Sequence, residues 1–443
     1  MGTADDMRQG LRAVRDSAAA RRLRARLAQQ LAFRAVLPPR RFEIGVHLGG
    51  GPLALARLRW WYGPLAELAK THPLVVLSRD AATTSILLEE CPLPVAELSE
   101  AGSLEAFLAE QPLRVVLHLE HGAETFGMLA HGRRWHVHLD PGEGEGASPN
   151  QVKSYDAVLV AGDAAAARLE REVWGFDATR VTRIGRPQLD QLGALPLGHP
   201  DHLDAGAPQQ DAERTTVLYA PTGASEPDAA HLGSVATHGV AIARAVLASP
   251  AHRLVYWPES RATGVAERGA RADVAAEAAH AAAHREIVAL VAAAAERDPA
   301  AGHRLGAGPD AVRRQAIATA EFAIVDIAPA VYDRLATAAP MLVTRPEHPD
   351  ARIDTTGFLS DCAWLGAGDA PQVLARLDEL ERDSAAGVRL GRWVTHYFGD
   401  TRAGAATRRF RGAIESLLAE ADTTAARQES ERIAAGLTAL RSA

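Results

Sequence analysis

Residues 135–162 read WHVHLDPGEGEGASPNQVKSYDAVLVAG, two short β-type runs on either side of a glycine- and glutamate-rich loop. A strand that ends in glycine lets the backbone approach a ligand closely, and in parallel α/β sheets ligands bind just beyond the carboxyl ends of the strands. The loop PGEGEG (141–146) carries Gly142, Glu143 and Glu145. Two carboxylates there would repel a phosphate unless a metal or a proton intervened, so the loop makes a poor anion cradle. It offers instead a general base, or a solvated acidic turn of the kind loops use for solubility.

Outward from this stretch, short apolar runs alternate with longer helical ones, the pattern of a parallel sheet with crossover helices. One set of strands is expected at 42–49, 73–78, 114–119, 135–139, 157–162 and 180–185, and a second at 216–221, 253–258, 322–327, 340–346 and 362–367. Between them LGALPLGHPDHLDAGAPQQDAE is rich in Gly, Pro and Asp and lacks periodicity, as an interdomain linker does. The expected organisation is a basic amphipathic segment (1–40), an N-terminal Rossmann-like domain (41–195), a linker (196–214), a C-terminal Rossmann-like domain (215–400) and closing helices (401–443). Such a pair of doubly wound halves leaves a cleft between them.

The chain has 443 residues, 47% hydrophobic and 23% charged, enough for at least two cored domains. A net charge of -7 gives no global electrostatic case for nucleic acid. Cys91 and Cys362, far apart in sequence, exclude a disulfide framework and suit a reducing cytoplasm. No apolar run reaches the roughly 18 residues of a spanning helix. Residues 7–36 set eight arginines among leucines and valines. A basic amphipathic helix of this kind can lie on an anionic membrane surface, which would put the protein at the inner face of the membrane, or can simply be solvated. His280 and His284 stand one helical turn apart, but the glutamate of an HExxH zinc site is missing, so no metal site and no cofactor is expected.

Several segments, in order, resemble the CDP-glycerol glycerophosphotransferase family, enzymes that build teichoic-acid-like polyol phosphate polymers. HVHLDPGEGEG (136–146) followed by NQVKSYDAVLVAG (150–162) is similar to its strand, His-Gly-acid loop and downstream strand. RIGRPQLDQL (183–192) is similar to its Gly-x-Pro-x-x-Asp turn, and VLYAPTG (217–223) to its strand ending in Tyr-Ala-Pro-Thr. AEFAIVDIAPAVYDRLATAAPMLVTRP (320–346) is similar to its strand-loop-helix with paired serines and a following Asp, and YFGDTRAGAATRRFRGAI (397–414) to its closing helix. The resemblance covers about residues 115–415 and implies a GT-B fold, two Rossmann-like domains with the donor nucleotide held mainly by the second. It also implies a loop histidine as base, a second histidine at the phosphates, and serines binding phosphate at a helix N-terminus.

This chain departs from that pattern at each of those positions. Pro141 stands in place of the first histidine, with Gly142 and Glu143 beside it; Glu259, or with a one-residue slip Trp257, stands in place of the second; and Ala328 and Pro329 replace the serines. Asp326, Asp333, Pro221 and Thr222 survive. Losing one such histidine typically costs a factor of about 10² to 10⁴ in rate.

Each survivor has a structural alternative. Asp326 and Asp190 suit helix caps as well as ligands, and Thr222 can shape a turn or bind a pyrimidine or phosphate. His136 and His138 share one face of a strand, where core histidines outnumber ligands. Arg183 and Arg186, in the RIGRP turn, are candidates to bind phosphate in place of the missing histidines.

Three functions follow. One is a divergent transferase moving a polyol-phosphate unit from a CDP-activated donor to a polymer acceptor, with Glu143 or Glu259 as base and Gly142, Arg186, Asp190, Pro221, Thr222, Asp326 and Asp333 binding substrate. The second is a non-catalytic protein binding a partner through the same cleft. The third is a nucleotide-sugar glycosyltransferase on the same fold.

Overall fold

The computed structural model describes residues 19, 21–100, 102–140, 149–191, 214–222, 231–259, 274–308, 310–349, 351, 353 and 356–442. Runs such as IGVHL and LVVLS are buried at every position, because a parallel sheet is covered by helices on both faces. The first domain runs β1 (Ile44–Leu48), α1 (Gly51–Ala69), β2 (Leu74–Ser78), α2 (Ala81–Glu90), β3 (Val95–Glu97), α3 (Ser103–Glu110), β4 (Val115–His118), α4 (Ala123–Leu129), β5 (Trp135–Leu139), β6 (Ala157–Val160), α5 (Asp163–Glu172) and β7 (Val181–Arg183). The second runs β8 (Thr215–Ala220), α6 (Val240–Leu247), β9 (His252–Tyr256), α7 (Val274–Arg297), β10 (Arg304–Leu305), α8 (Asp310–Thr319), β11 (Phe322–Val325), α9 (Pro329–Leu335), β12 (Leu342–Thr344) and β13 (Ala363–Leu365). Helices α10 (Val373–Arg382), α11 (Ala386–Phe398) and α12 (Ala405–Ser442) close the chain.

The sheets have orders β3-β2-β1-β4-β5-β6-β7 and β10-β9-β8-β11-β12-β13. All strand pairs are parallel. Both orders reverse direction beside their first strand, opening a crevice between β1 and β4 in one domain and between β8 and β11 in the other. Every strand expected from sequence is present, and β3 and β10 are additional. These two edge strands have three and two residues, too short to carry a periodic signal.

The closing helices tie the domains together. Phe410, Ile414 and Leu418, spaced by four along α12, belong to the first domain's core, where Phe410 meets Trp61. Ala161 and Leu189, from loops that leave the first sheet, pack against the core of the second domain. A Cβ on Gly162 would lie 2.3 Å from the Tyr397 carbonyl oxygen at the end of α11, so only glycine permits this approach. Gly185 has φ 76°, a conformation that favours glycine, beside Arg409 of α12.

Of the basic N-terminal segment, residues 21–32 are helical. Leu27 is buried in the first domain's core, Arg26 pairs with Glu89, and Gln30 Nε2 donates to the Ser85 carbonyl at 3.1 Å, so this helix docks on α2. Phe33 and Val36 beyond it are exposed. Among the described residues no helix is long and apolar enough to cross a membrane.

Candidate functional site

At the second crevice, Pro221 and Thr222 leave β8, Glu259 follows β9 and Asp326 follows β11, and the four meet. Thr222 Oγ1 donates to Glu259 Oε2 at 3.0 Å, and the Glu259 N–H donates to the Pro221 carbonyl at 3.1 Å. Asp326, fully buried, accepts from the backbone N–H groups of Thr222 (2.9 Å) and Ser234 (3.1 Å) on Oδ2 and from the Thr344 hydroxyl (2.6 Å) on Oδ1. Burial raises its pKa while these donors oppose the rise. Its carboxylate thus ties the connection after β8 and the end of β12 to the loop after β11 as one floor. Arg313 adds to it, donating from Nη2 to the Pro221 carbonyl (3.2 Å) and from Nε to that of Trp257 (3.3 Å).

Other expected site residues lie at the domain junction. Arg186 Nη2 meets Asp333 Oδ1 at 3.0 Å, with side chains only 6% and 3% exposed. Arg186 lies 4.6 Å from the centroid of the Trp60 ring and Arg314 lies 4.0 Å from it, so one indole from α1 sits against an arginine of each domain. Asp190 Oδ2 accepts from the Thr407 N–H at 2.6 Å, capping α12 from a distant loop. Arg183 pairs with Asp163 at the surface. Gly142 and Glu143 lie outside the described residues.

The first crevice holds a cluster that the sequence analysis did not assemble. His47, His118 and His138 are register partners on β1, β4 and β5, and His136 lies two residues before His138 on the same face. Ring centroids are 5.3 Å apart for His47–His118 and 5.3 Å for His118–His136. The signal was in the sequence: three strands each end in His-Leu, as GVHLG, VLHLE and HVHLD. Burial pushes every one of these imidazoles down, His47 to about 4, so all are neutral near pH 7. Among the described residues no group of three or more His, Cys, Asp or Glu is arranged to hold a metal ion. His284, too, is spent otherwise, its Nδ1 lying 2.9 Å from the Tyr256 hydroxyl.

Nearer the rim, the loop after β4 carries Glu120 and His121. Glu120 Oε1 accepts from the Gly49 N–H at 2.7 Å, tying the loops after β1 and β4 across the reversal point, and burial raises its pKa. His121 lies against His138, with centroids 4.2 Å apart and the rings tilted by 38°, and its Nδ1 is 3.2 Å from the Tyr155 hydroxyl. That hydroxyl donates to the Glu120 carbonyl at 3.4 Å. Burial first, and then Arg57, push His121 down to about 4.

The segments that bridge the domains, those bearing Trp60, Ala161, Gly162 and Arg186, all follow carboxyl ends of first-sheet strands, while Asp333 lies on the helix after β11. The two crevices therefore open toward a common cleft. Two Rossmann-like domains joined in this way, with terminal helices returning to the first, give the chain a GT-B-like fold. The sequence matches no family model and no curated protein. Among solved structures, the wall teichoic acid polymerase TagF superimposes with a TM-score of 0.56 at 10% identity, over 95% of this chain and 99% of that one. The UDP-GlcNAc 2-epimerase from Neisseria meningitidis bound to UDP-GlcNAc gives 0.54 at 12% identity over 86% and 100%, and the glycotransferase of kitacinnamycin 0.51 at 13% over 86% and 100%. At such identities the likeness is one of fold.

Proposed function

We propose that the chain is a transferase that takes a nucleotide-activated donor, of the CDP-polyol class, in the second crevice and a polymer acceptor over the first. The observation that carries this reading is the opposition of two differently equipped crevices. One has neutral imidazoles, Glu120 and the Arg57 cation near its rim; the other has a braced floor from which Thr222 and Glu259 can meet donor hydroxyls. Glu259 belongs to the donor domain and is hydrogen-bonded to Thr222, which suits it to holding a ribose or polyol hydroxyl. The resemblance to teichoic-acid-type transferases supports the CDP-polyol donor, and the fold it shares with TagF is compatible with it. The basic helix before β1 would hold the enzyme at the inner membrane face, where such polymers are made. Flotation with anionic liposomes should be lost when Arg21, Arg22 and Arg24 are replaced by glutamate.

A second reading, a non-catalytic binding protein, draws support from the start of α9. There Ala328 is the N-cap without any side-chain bond and Pro329 follows, so the helix lacks the hydroxyls and one N–H of a phosphate cradle. The test is to incubate the protein with CDP-glycerol, CDP-ribitol and a panel of nucleotide sugars together with polyol-phosphate acceptors, following release of CMP or nucleoside diphosphate. Release of CMP supports the first reading. Release of nucleoside diphosphate from a sugar nucleotide would replace it with a glycosyltransferase, and nucleotide binding without release would favour the second.

A further inference from the structure

We propose that residues 31–36 form an apolar knuckle that inserts into an anionic lipid surface, with the arginines on either side of it meeting the headgroups. This rests on the membrane location proposed above and is independent of the reaction. An amphipathic helix lying in a membrane turns its apolar stripe to the acyl chains. In this protein that stripe is already used: Leu27 lies in the first domain's core, Arg26 pairs with Glu89, and Gln30 Nε2 donates to the Ser85 carbonyl. The chain just beyond the helix is placed differently. Leu31 is exposed, and Phe33 and Val36 leave 85% and 92% of their surface in water. Both flanks of this stretch are fastened to the domain. Leu27 holds the side before it; after it, Leu37 packs against the core formed by Phe42, Val75 and Val116, and the Pro38 carbonyl accepts from Gln111 Nε2 at 3.1 Å. Arg34, within the stretch, donates to the Leu88 carbonyl. The apolar side chains are therefore presented on a backbone that is already ordered, so insertion forfeits little conformational entropy.

Charge selects the kind of surface. Residues 21–41 hold seven arginines and no carboxylate, in a chain whose net charge is -7. Arg21, Arg22, Arg24, Arg40 and Arg41 are exposed. An anionic bilayer gives an apolar interior to Phe33 and Val36 and phosphates to these guanidiniums, each worth about fivefold in partition near the surface. A soluble polyanion would satisfy the arginines alone. The same anchor sets the direction the molecule faces. The Arg41 and Phe42 N–H groups donate to Gln111 Oε1, both at 3.1 Å, so the knuckle joins the sheet beside the amino ends of β1 and β4. The crevice between those strands opens at their carboxyl ends. Docking through Phe33 and Val36 thus turns the cleft away from the lipid. The rival surface is the crevice rim, where Leu53 on α1 and Phe126 on α4 are also exposed.

Flotation of the full chain with phosphatidylcholine vesicles, made with and without phosphatidylglycerol, is the test. Wild type should float with the anionic vesicles, less as salt is raised, and not with the neutral ones. Phe33→Ser combined with Val36→Ser changes no charge and should weaken the partition by at least about tenfold. The melting midpoint of that variant should match wild type, because both side chains are already in water. Leu53→Ser combined with Phe126→Ser should float as wild type does. Wild-type flotation by the Phe33/Val36 variant overturns the knuckle and leaves a purely electrostatic attachment standing. Loss of flotation in the Leu53/Phe126 variant overturns the orientation, since the cleft rim would then be the docking surface. Equal flotation of wild type with neutral vesicles overturns the part given to the arginines. No flotation of wild type with either vesicle overturns both the knuckle and the membrane location, and leaves the transferase reading untouched.

Discussion

Removing the Asp333 carboxylate should be among the most damaging single changes to this molecule outside its hydrophobic cores. In Asp333→Ala the Arg186 guanidinium, 6% exposed, keeps the ring faces of Trp60 and Phe398 but loses its carboxylate partner at 3.0 Å. Breaking one side of a buried ion pair costs about 3–5 kcal/mol, because the surviving charge remains out of water. An aromatic face returns only about 0.5–2 kcal/mol, and it is already in place in the wild type. At about 2–4 °C per kcal/mol for domains of this size, the melting midpoint should fall by about 6–20 °C. Because the pair joins the two domains, calorimetry should also resolve two transitions where the wild type shows coupled unfolding. Replacing both partners by apolar residues, Arg186→Met with Asp333→Leu, removes the Arg186 charge and should recover part of the loss, the rest reflecting Arg314, which also pairs with Asp333 at 3.6 Å. Equal destabilisation in the single and double variants would refute the argument, since the cost would then lie in packing and not in an uncompensated charge. CDP affinity measured on Arg186→Ala tests whether that guanidinium also meets donor phosphates.

The histidine row predicts a pH dependence with a definite sign. His47, pushed down to about 4 from an ordinary 6.5 chiefly by burial, binds its proton more weakly in the fold than in the unfolded chain. Its contribution is therefore full above pH 6.5 and is lost as pH falls toward 4, about 3 kcal/mol in all; urea midpoints across this window should drop steeply in wild type and less in His47→Leu. Asp326→Ala strands the Thr222 and Ser234 N–H groups inside the protein, at about 1–3 kcal/mol each. Asp326→Asn should melt much closer to wild type, because its amide oxygen can still accept from both; equal melting of the two variants would contradict this account. Gly162→Ala drives a Cβ into the Tyr397 carbonyl and should cost about 1–3 kcal/mol or more, with faster proteolysis between the domains as the specific sign.

Sequence reading located both sheets because their central strands are buried on two faces and so appear as uninterrupted apolar runs, a signal independent of partners. It missed β3 and β10, where two or three residues at an edge have no room for a pattern. The candidate site was legible to a smaller degree. Pro221, Thr222 and Asp326 converge because they follow the two strands at the reversal point of the second sheet, and Glu259 joins them from the end of neighbouring β9, which strand order dictates once the sheet is known. Arg186 and Asp333, 147 positions apart (333 − 186), meet across domains, and no local periodicity encodes that. The first crevice was overlooked for a related reason. The sequence pairs His138 only with His136 on its own strand and says nothing of His47 or His118, and only parallel register sets the three strands' histidines side by side.

The acidic residues through which the chain resembles glycerophosphotransferases turn out to carry heavy architectural duties. Asp326 binds three donors, two from the connection after β8 and one from the end of β12, Asp333 holds the domain clasp, and Asp190 caps the longest described helix across a gap of more than two hundred residues. Such residues hold the two crevices in position whether or not chemistry takes place between them, so a motif match built on them speaks for the fold more than for the reaction. The question of activity then falls on groups whose reactive atoms are uncommitted.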